Sequence, residues 1–423
     1  MHGLPPRRRG PNFLERACRR MAPRLRGGKD YLPRGIDGPV MPPQSTRLIS
    51  LDAFRGFTIA GMVLVNNPGD WGNLYPQLAH AEWNGWTFTD WIFPFFLFIC
   101  GVSMTFSLGR RAEAGEDKPQ LLMQLFKRAA IIFLIGFLLN LIPSFNFSTV
   151  RIPGVLQRIA LCTMLAAPIV VYFNWKKQCA WIFALLTAYT LLMLFVPVPD
   201  VQGRIGAGIL EPGRDLGAYI DRALLDGHLW TKSKTWDPEG LLSTLPALCT
   251  QLLGVLLGRW LLSASSKAEK TVWMMIAGLA CLWIGAIIDA TFMPINKSLW
   301  STSYTIFMTG WALLIFAVCY WLIDANPSEV LREKSRRGLL PLTIYGMNAL
   351  FIFAFSGLIA KMLGFIKFSQ GDATVALKTI LYAPIKALPM APVNQSLCFA
   401  ILFNAVMFTI AWFMWKKKWF VKV

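Results

Sequence analysis

From residue 51 onward, long apolar runs alternate with short polar connections. A membrane helix needs about 20 mainly apolar residues, because the hydrocarbon layer is about 30 Å thick. Ten segments meet that length: roughly 51–67, 89–108, 123–142, 155–173, 178–196, 241–263, 271–291, 302–323, 339–361 and 395–415. In lipid only helices or closed barrels satisfy their backbone, and runs this long exclude barrel strands. The pattern predicts an all-α polytopic membrane protein of about ten transmembrane helices. A further stretch near 373–388 (ATVALKTILYAPIKAL) is apolar but shorter and carries Lys378, Pro384 and Lys386. It reads as an interfacial or partly re-entrant helix, with an ordinary surface helix as the alternative.

Composition changes one part of this picture. A chain of 423 residues would by length suggest two or three soluble domains, but 55% of it is hydrophobic and only 15% charged, against about 25% charged in soluble proteins. The net charge of +19 would suit a nucleic-acid binder, yet such a binder needs its cations on a soluble surface. Most of these cations sit between apolar runs, so nucleic acid is set aside and the charge is read as topology. With the N-terminus inside, the inside segments hold 28 of the 42 Lys and Arg. Cationic loops stay inside, so both termini are expected in the cytoplasm. Residues 1–45 differ from the rest. They are basic and Pro/Gly-rich, lack the apolar core of a signal peptide, and read as a disordered cytoplasmic tail with an affinity for anionic lipid. Met41, just before the regular pattern, is a second candidate start. Residues 46–423 form the membrane domain, with a long outside loop at 197–240. Eight cysteines lie in the tail or in the spans without a CxxC pair, which gives neither a disulfide framework nor zinc spacing, and no metal is expected.

The candidate chemistry lies chiefly in the loop after the first span, VNNPGDWGNLYPQLAHAEWNGWTFTDWIFPFF. It has no Lys or Arg but holds Asn66, Asp70, His80, Glu82, Asn84 and Asp90 among tryptophans. The chain has three histidines: His2 in the tail, and His80 and His228 in outside loops. Histidine suits proton transfer at neutral pH; the alternative is a solvated loop histidine in an aromatic interface belt. Asp52 and Arg55, three apart, share a face at the inner edge of the first span. They form either a polar mouth or a helix-start cap with a snorkelling arginine. Arg158, Asp289 and Asn348 lie within spans, where ionisable groups are costly and point to function, although Asn348 equally suits a helix–helix hydrogen bond. Asp237, Pro238 and Glu239 resemble a helix start; His228 and Glu239 could instead face the site formed by the first loop.

Several stretches together resemble one family: RLISLDAFRG (47–56), VN at Val65–Asn66, HAEWNGWTFTDWIFPFFLFICG (80–101), RIPGVLQR (151–158), DRALLDGHLW (221–230), DPEG (237–240), INKSLWSTSY (295–304) and YGMNALF (345–351). Over about residues 46–415 the chain is similar to the heparan-α-glucosaminide N-acetyltransferase family, including its bacterial NagX-like relatives. The resemblance implies transfer of an acetyl group from cytosolic acetyl-CoA to the amine of a terminal glucosamine across the membrane. It makes His80 the catalytic histidine and Asn66 the active-site asparagine. The lumenal domain and extra first span of the lysosomal members are absent from this sequence, which leaves the heparan substrate in question and free glucosamine or another glycan as acceptor. On this reading His80 serves as base, the Asn66 amide as oxyanion donor, and Arg55, Lys127 and Arg128 receive the donor's phosphates. Asp52, Asn84, Asp90, Arg158, His228, Glu239 and Asn348 complete the expected binding residues. Direct attack and a transient acetyl-histidine both remain open. The alternatives are an O-acyltransferase of envelope glycans, which an acceptor panel separates, and a sugar permease, against which stands the lack of recognisable internal repeats. The aromatic-rich spans are compatible with a homodimer.

Overall fold

The structure is a computed structural model that describes residues 48–370 and 373–421. The expected tail and His2 lie outside the described residues. The chain is an all-α polytopic membrane protein whose long helices follow the apolar runs: α1 (Ile49–Asn66), α2 (Ile92–Met104), α3 (Lys118–Leu141), α4 (Val155–Tyr172) and α5 (Trp175–Phe195). After a short helix α6 (Leu216–Leu225) come α7 (Thr244–Leu262), α8 (Lys267–Thr291) and α9 (Thr302–Tyr320). α2 runs on through a wider π turn at Thr105–Gly109, and α9 through another at Trp321–Ala325. Among the described residues nine helices are long and apolar enough to cross a membrane.

The ninth expected span, 339–361, is not one straight helix. It is divided into α11 (Leu340–Met347) and α12 (Ala349–Phe365), bent by 81° at Asn348. Hydropathy continues across the break, but Asn348 has left helical geometry (φ −122°, ψ 34°) and its side chain bonds to backbone elsewhere. A polar side chain that captures a distant backbone group competes with helix continuation. Before α11 lies the amphipathic α10 (Glu329–Gly338). After α12 a hairpin (β1, Lys367–Gln370; β2, Ala373–Ala376) leads into α13 (Leu377–Lys386), and α14 (Pro392–Lys416) ends the bundle. α13 has ten residues, about 15 Å at 1.5 Å per residue, too short to cross a bilayer. That fits an interfacial helix.

α1 sits at the centre, packed against α2, α9, α11, α12 and α14. A Cβ on Gly56 would stand 1.7 Å from the Leu342 carbonyl oxygen, and one on Gly346 1.9 Å from that of Asp52. These glycines let α1 and α11 touch backbone to backbone, the small-residue contact that replaces hydrophobic drive inside lipid. α1, α2, α4 and α7 are largely buried, whereas α3, α5 and α8 keep broad exposed apolar faces. The bundle has two distinct ends. At the end where α1 begins, here the basic end, Arg336 of α10 pairs with Asp324 at 3.6 Å, and Asp324 accepts the Ser50 N–H at 3.0 Å. At the loop end, where α1 finishes, the connections 67–87, 142–154, 196–243 and 292–301 gather.

Candidate functional site

The loop-end site is built around Asp90. Thr87 and Asp90 form a capping box at the start of a short turn leading into α2. Asp90 Oδ2 accepts N–H bonds from Thr87 (3.0 Å) and Ala81 (3.2 Å) and the Thr87 hydroxyl (3.1 Å). Its Oδ1 is left for His80, whose Nδ1 lies 2.6 Å away. Asp90 is buried, with 1% of its side chain exposed, while the His80 side chain is 50% exposed. A carboxylate only accepts, so Nδ1 carries the hydrogen, and it is Nε2 that holds the lone pair of the neutral imidazole. A buried orienting acid behind a half-exposed imidazole is the arrangement of a general base.

The loop that carries His80 is tied down on both sides. Gly85, at φ +97°, takes the left-handed conformation that glycine tolerates, and its N–H donates to the Ile295 carbonyl (2.7 Å). Asn296 Nδ2 donates to Asn84 Oδ1 (3.1 Å), and the Trp83 indole N–H donates to the Leu210 carbonyl (2.7 Å). The Tyr304 hydroxyl donates to the Asp90 carbonyl (2.6 Å), and Asp289 accepts the Ile295 N–H (2.6 Å).

Beside this loop lies a buried charge cluster. Arg151 forks onto Asp237 (2.8 and 2.6 Å) and also reaches Glu239 (2.5 Å), and Lys297 stands 3.7 Å from Glu239. Burial works against the charged form of Glu239, but Lys297 and Arg151 outweigh it and hold the carboxyl well below the usual range. Burial pushes Asp221 up to about 6, against its bonds from the N–H groups of Leu241 and Asp237. Arg158 is fully buried, stacks over Trp300 at 5.3 Å, and donates to the Pro238 and Gly240 carbonyls and the Ser243 hydroxyl. The helix start expected at Asp237–Glu239 falls instead at Thr244; Asp237 accepts the Glu239 N–H (2.9 Å) within a local turn while Arg151 forks onto it, and Asp221 accepts the Leu241 N–H (2.9 Å) that follows.

At the basic end a cavity of about 300 Å³ opens between helices, lined by Arg55, Ser103, Ser107 and Arg128 near its mouth. Arg55 donates to the Ser103 hydroxyl (2.6 Å) and pairs with Asp52 (3.3 Å). Deeper walls come from Phe96, Ile159, Thr163 and Gln251. Along α2 the lining runs from Ser107 to Phe96, eleven residues or about 16 Å. That is about half the hydrocarbon thickness, and it ends at Ile159, next in sequence to Arg158.

The predicted residues divide accordingly. His80 and Asp90 are joined directly, with Asn84 in the same loop; Arg158 and Glu239 share the neighbouring cluster. Asn66 is exposed at the last turn of α1 and makes no side-chain hydrogen bond among the described residues. His228 is held elsewhere, its Nδ1 2.8 Å from the Val150 carbonyl and its own carbonyl accepting the Ile152 N–H. Arg55 and Arg128 meet at the cavity, Asp52 stands behind Arg55, and Lys127 is exposed and outside the lining. Asn348 serves the basic end, donating to the Trp419 carbonyl (3.0 Å) and accepting the Val421 N–H (3.0 Å); Val421 lines the cavity. Sequence reasoning did not single out Arg151, Lys297 or Gln251. A lone glutamine inside an apolar run was the available signal for the last.

Fold and site together define a polytopic membrane protein with an oriented histidine at one end of its bundle and an arginine-lined cavity entering from the other. The family model "Heparan-alpha-glucosaminide N-acetyltransferase, catalytic" matches residues 47–275, more than half of the chain. The chain belongs to that family. It is 30% identical over 336 residues to the heparan-alpha-glucosaminide N-acetyltransferase of Mus musculus, covering 67% of this chain and 50% of the relative. It is also 30% identical over 346 residues to that of Homo sapiens, covering 69% and 52%. The chain thus spans about half the length of the curated relatives it matches.

Proposed function

We propose that the protein is an acetyl-CoA-dependent N-acetyltransferase of the bacterial inner membrane, of the NagX-like kind. It moves an acetyl group from the cytoplasm to the amine of glucosamine, or of a glucosamine-containing glycan, on the periplasmic face. The observation that carries this reading is the 2.6 Å His80–Asp90 pair, at the opposite end of the bundle from the Arg55–Arg128 cavity. The excess of Lys and Arg at the basic end supports a cytoplasmic orientation for it, which in this reading leaves both termini inside and the His80 loop outside.

In this reading the donor's phosphates meet Arg55 and Arg128 at the mouth, where guanidinium groups bind phosphate as forks. The apolar walls take the acyl-pantetheine arm, and the thioester approaches the loop end. The acceptor nitrogen attacks the thioester carbon, the C–S bond breaks, and sulfur departs with the bonding pair as the CoA thiolate, which is then protonated so that the proton lost by the amine is balanced. His80 Nε2 removes the proton of the attacking amine, while Asp90 stabilises the imidazolium through Nδ1. Asn66, exposed at the end of α1, supplies an amide N–H to the developing oxyanion. Asn84, Glu239 and the rest of the loop-end cluster border the acceptor side. If acetyl first rests on His80 Nε2, the same geometry serves, and the amine then attacks acetyl-imidazole.

The test is acetyl transfer from labelled acetyl-CoA to glucosamine by the purified full chain in liposomes. His80→Ala is expected to lower kcat by about 10²–10⁴-fold while CoA still binds. Unchanged turnover in that variant removes His80 from the reaction. Transfer that persists when the acceptor amine is blocked transfers the case to an O-acyltransferase.

A further inference from the structure

Midway along the cavity stands a polar pair that the transfer chemistry does not use. Gln251 of α7 is fully buried. Its Nε2 donates to the Thr163 hydroxyl of α4 at 3.3 Å, while its Oε1 has no hydrogen-bond partner among the described residues. Both residues line the cavity, among Phe96, Met104, Leu125, Ile132, Ile159 and Leu350. Leaving a buried amide oxygen unbonded is unfavourable by roughly 1–3 kcal/mol. The position is built into the helix packing: a Cβ on Gly101 would stand 1.9 Å from the Gln251 carbonyl oxygen, so α2 holds α7 at this level.

We propose that Gln251 and Thr163 form a subsite for a secondary amide, the group that recurs in the pantetheine arm of the donor. This rests on the acyl-CoA reading above and adds the residues that recognise the linker. The argument is one of donor and acceptor counting. The open position on Gln251 Oε1 needs a hydrogen-bond donor, and the Thr163 hydroxyl has a hydrogen to give to a carbonyl. A secondary amide offers both, N–H to Gln251 and C=O to Thr163. If the Gln251 amide is rotated by half a turn, the two roles exchange and a secondary amide still satisfies both. A phosphate or carboxylate has no hydrogen to give, so it cannot supply the donor that the pair needs on one side in either orientation; an alkyl chain supplies neither donor nor acceptor. The subsite therefore discriminates pantetheine thioesters from simple alkyl thioesters at a depth the phosphate-binding arginines do not reach.

The experiment compares full-length wild type, Gln251→Met and Thr163→Val in two measurements. The first is the Kd for CoA by calorimetry. The second is transfer from three acetyl thioesters: acetyl-pantetheine, acetyl-N-acetylcysteamine, which has one amide, and acetyl-ethanethiol, which has none. Gln251→Met is expected to raise the Kd for CoA about tenfold, the equivalent of one or two hydrogen bonds, with kcat at saturating donor little changed. It is also expected to abolish the preference of the wild type for amide-bearing thioesters. Thr163→Val keeps side-chain shape and is expected to do the same to a smaller degree, so the comparison survives if Gln251→Met does not fold. CoA binding and thioester preference equal to wild type in both folded variants overturn the amide subsite and leave the acyl-CoA reading standing. No CoA binding by folded wild type overturns both.

Discussion

The two ends of the bundle solve different problems. At the loop end, His80, Thr87 and Asp90 lie within eleven residues of sequence, with the Thr87–Asp90 turn fixed by a capping box and His80 bonded to its acid. Distant contacts from Ile295, Asn296, Leu210 and Tyr304 then lock the loop in place. At the basic end no local motif exists. The cavity borrows one or a few side chains from each of α1, α2, α3, α4, α7, α11 and α12, and from the backbone beyond α14. A proton-transfer group needs its orientation held to a fraction of an ångström, which short-range bonding provides. A donor passage needs length and a dry wall, which only several helices together can give. The lesson is that the bonding of the His80 loop is concentrated in sequence while the lining of the cavity is spread over it.

The sharpest way to break this comparison is to disturb the orienting acid alone. Asp90→Asn keeps size and still accepts from Thr87 and Ala81, but it no longer compensates an imidazolium and can present N–H to Nδ1. The imidazole then holds its hydrogen on Nε2, the wrong nitrogen for a base. A fall in kcat of about 10²–10⁴-fold is expected, with the Kd for CoA unchanged and the melting temperature nearly so. Equal activity in Asp90→Asn and wild type makes the 2.6 Å bond a loop fastening only.

Next in size comes the cavity mouth. Arg55→Ala removes a guanidinium bonded to Ser103 and Asp52 and is expected to raise KM for acetyl-CoA about 10–100-fold, with kcat largely kept. The Arg55 side chain is 24% exposed, and added salt screens such a partly exposed cation, so wild type and variant converge at high ionic strength. Lys127→Ala is the counterpart, since Lys127 is exposed and outside the lining; its KM is expected to stay within about twofold. Steady-state kinetics across a salt series reads both. A Lys127→Ala effect as large as that of Arg55→Ala puts phosphate binding outside the cavity.

What the sequence disclosed follows the same division. Span positions were legible because length and hydropathy are set by the bilayer, and the His80 loop because its polar residues are contiguous. The pairing of His80 with Asp90 was not, since residues ten apart do not touch along a single helix or strand and their meeting depends on the turn at Thr87–Asp90. Asp237 read as a helix cap because its local pattern is that of one, and only the fold brings Arg151 from 86 positions away. The break at Asn348 was hidden for the opposite reason: hydropathy averages over it, and its cause lies in the chain terminus. Gln251 showed only as a polar residue in an apolar run, with its neighbours in the cavity unspecified.

Asn348 supplies the finest test of how the basic end is held. Its two bonds to Trp419 and Val421 pin the final residues across the helix break, and Val421 forms part of the cavity wall. Asn348→Ala leaves the Trp419 carbonyl and the Val421 N–H without these partners; both residues are exposed, so water replaces part of the loss and the net cost is about 0.5–1.5 kcal/mol. A melting temperature lower by a few degrees is expected, along with a KM for acetyl-CoA raised by no more than about threefold and a kcat equal to wild type. Thermal unfolding in detergent, with and without CoA, checks the first part. CoA should restore more stability to the variant than to the wild type if closing the wall and binding the donor are one event. Equal restoration in both separates the terminal segment from the donor cavity and leaves Asn348 as a packing residue of the broken helix.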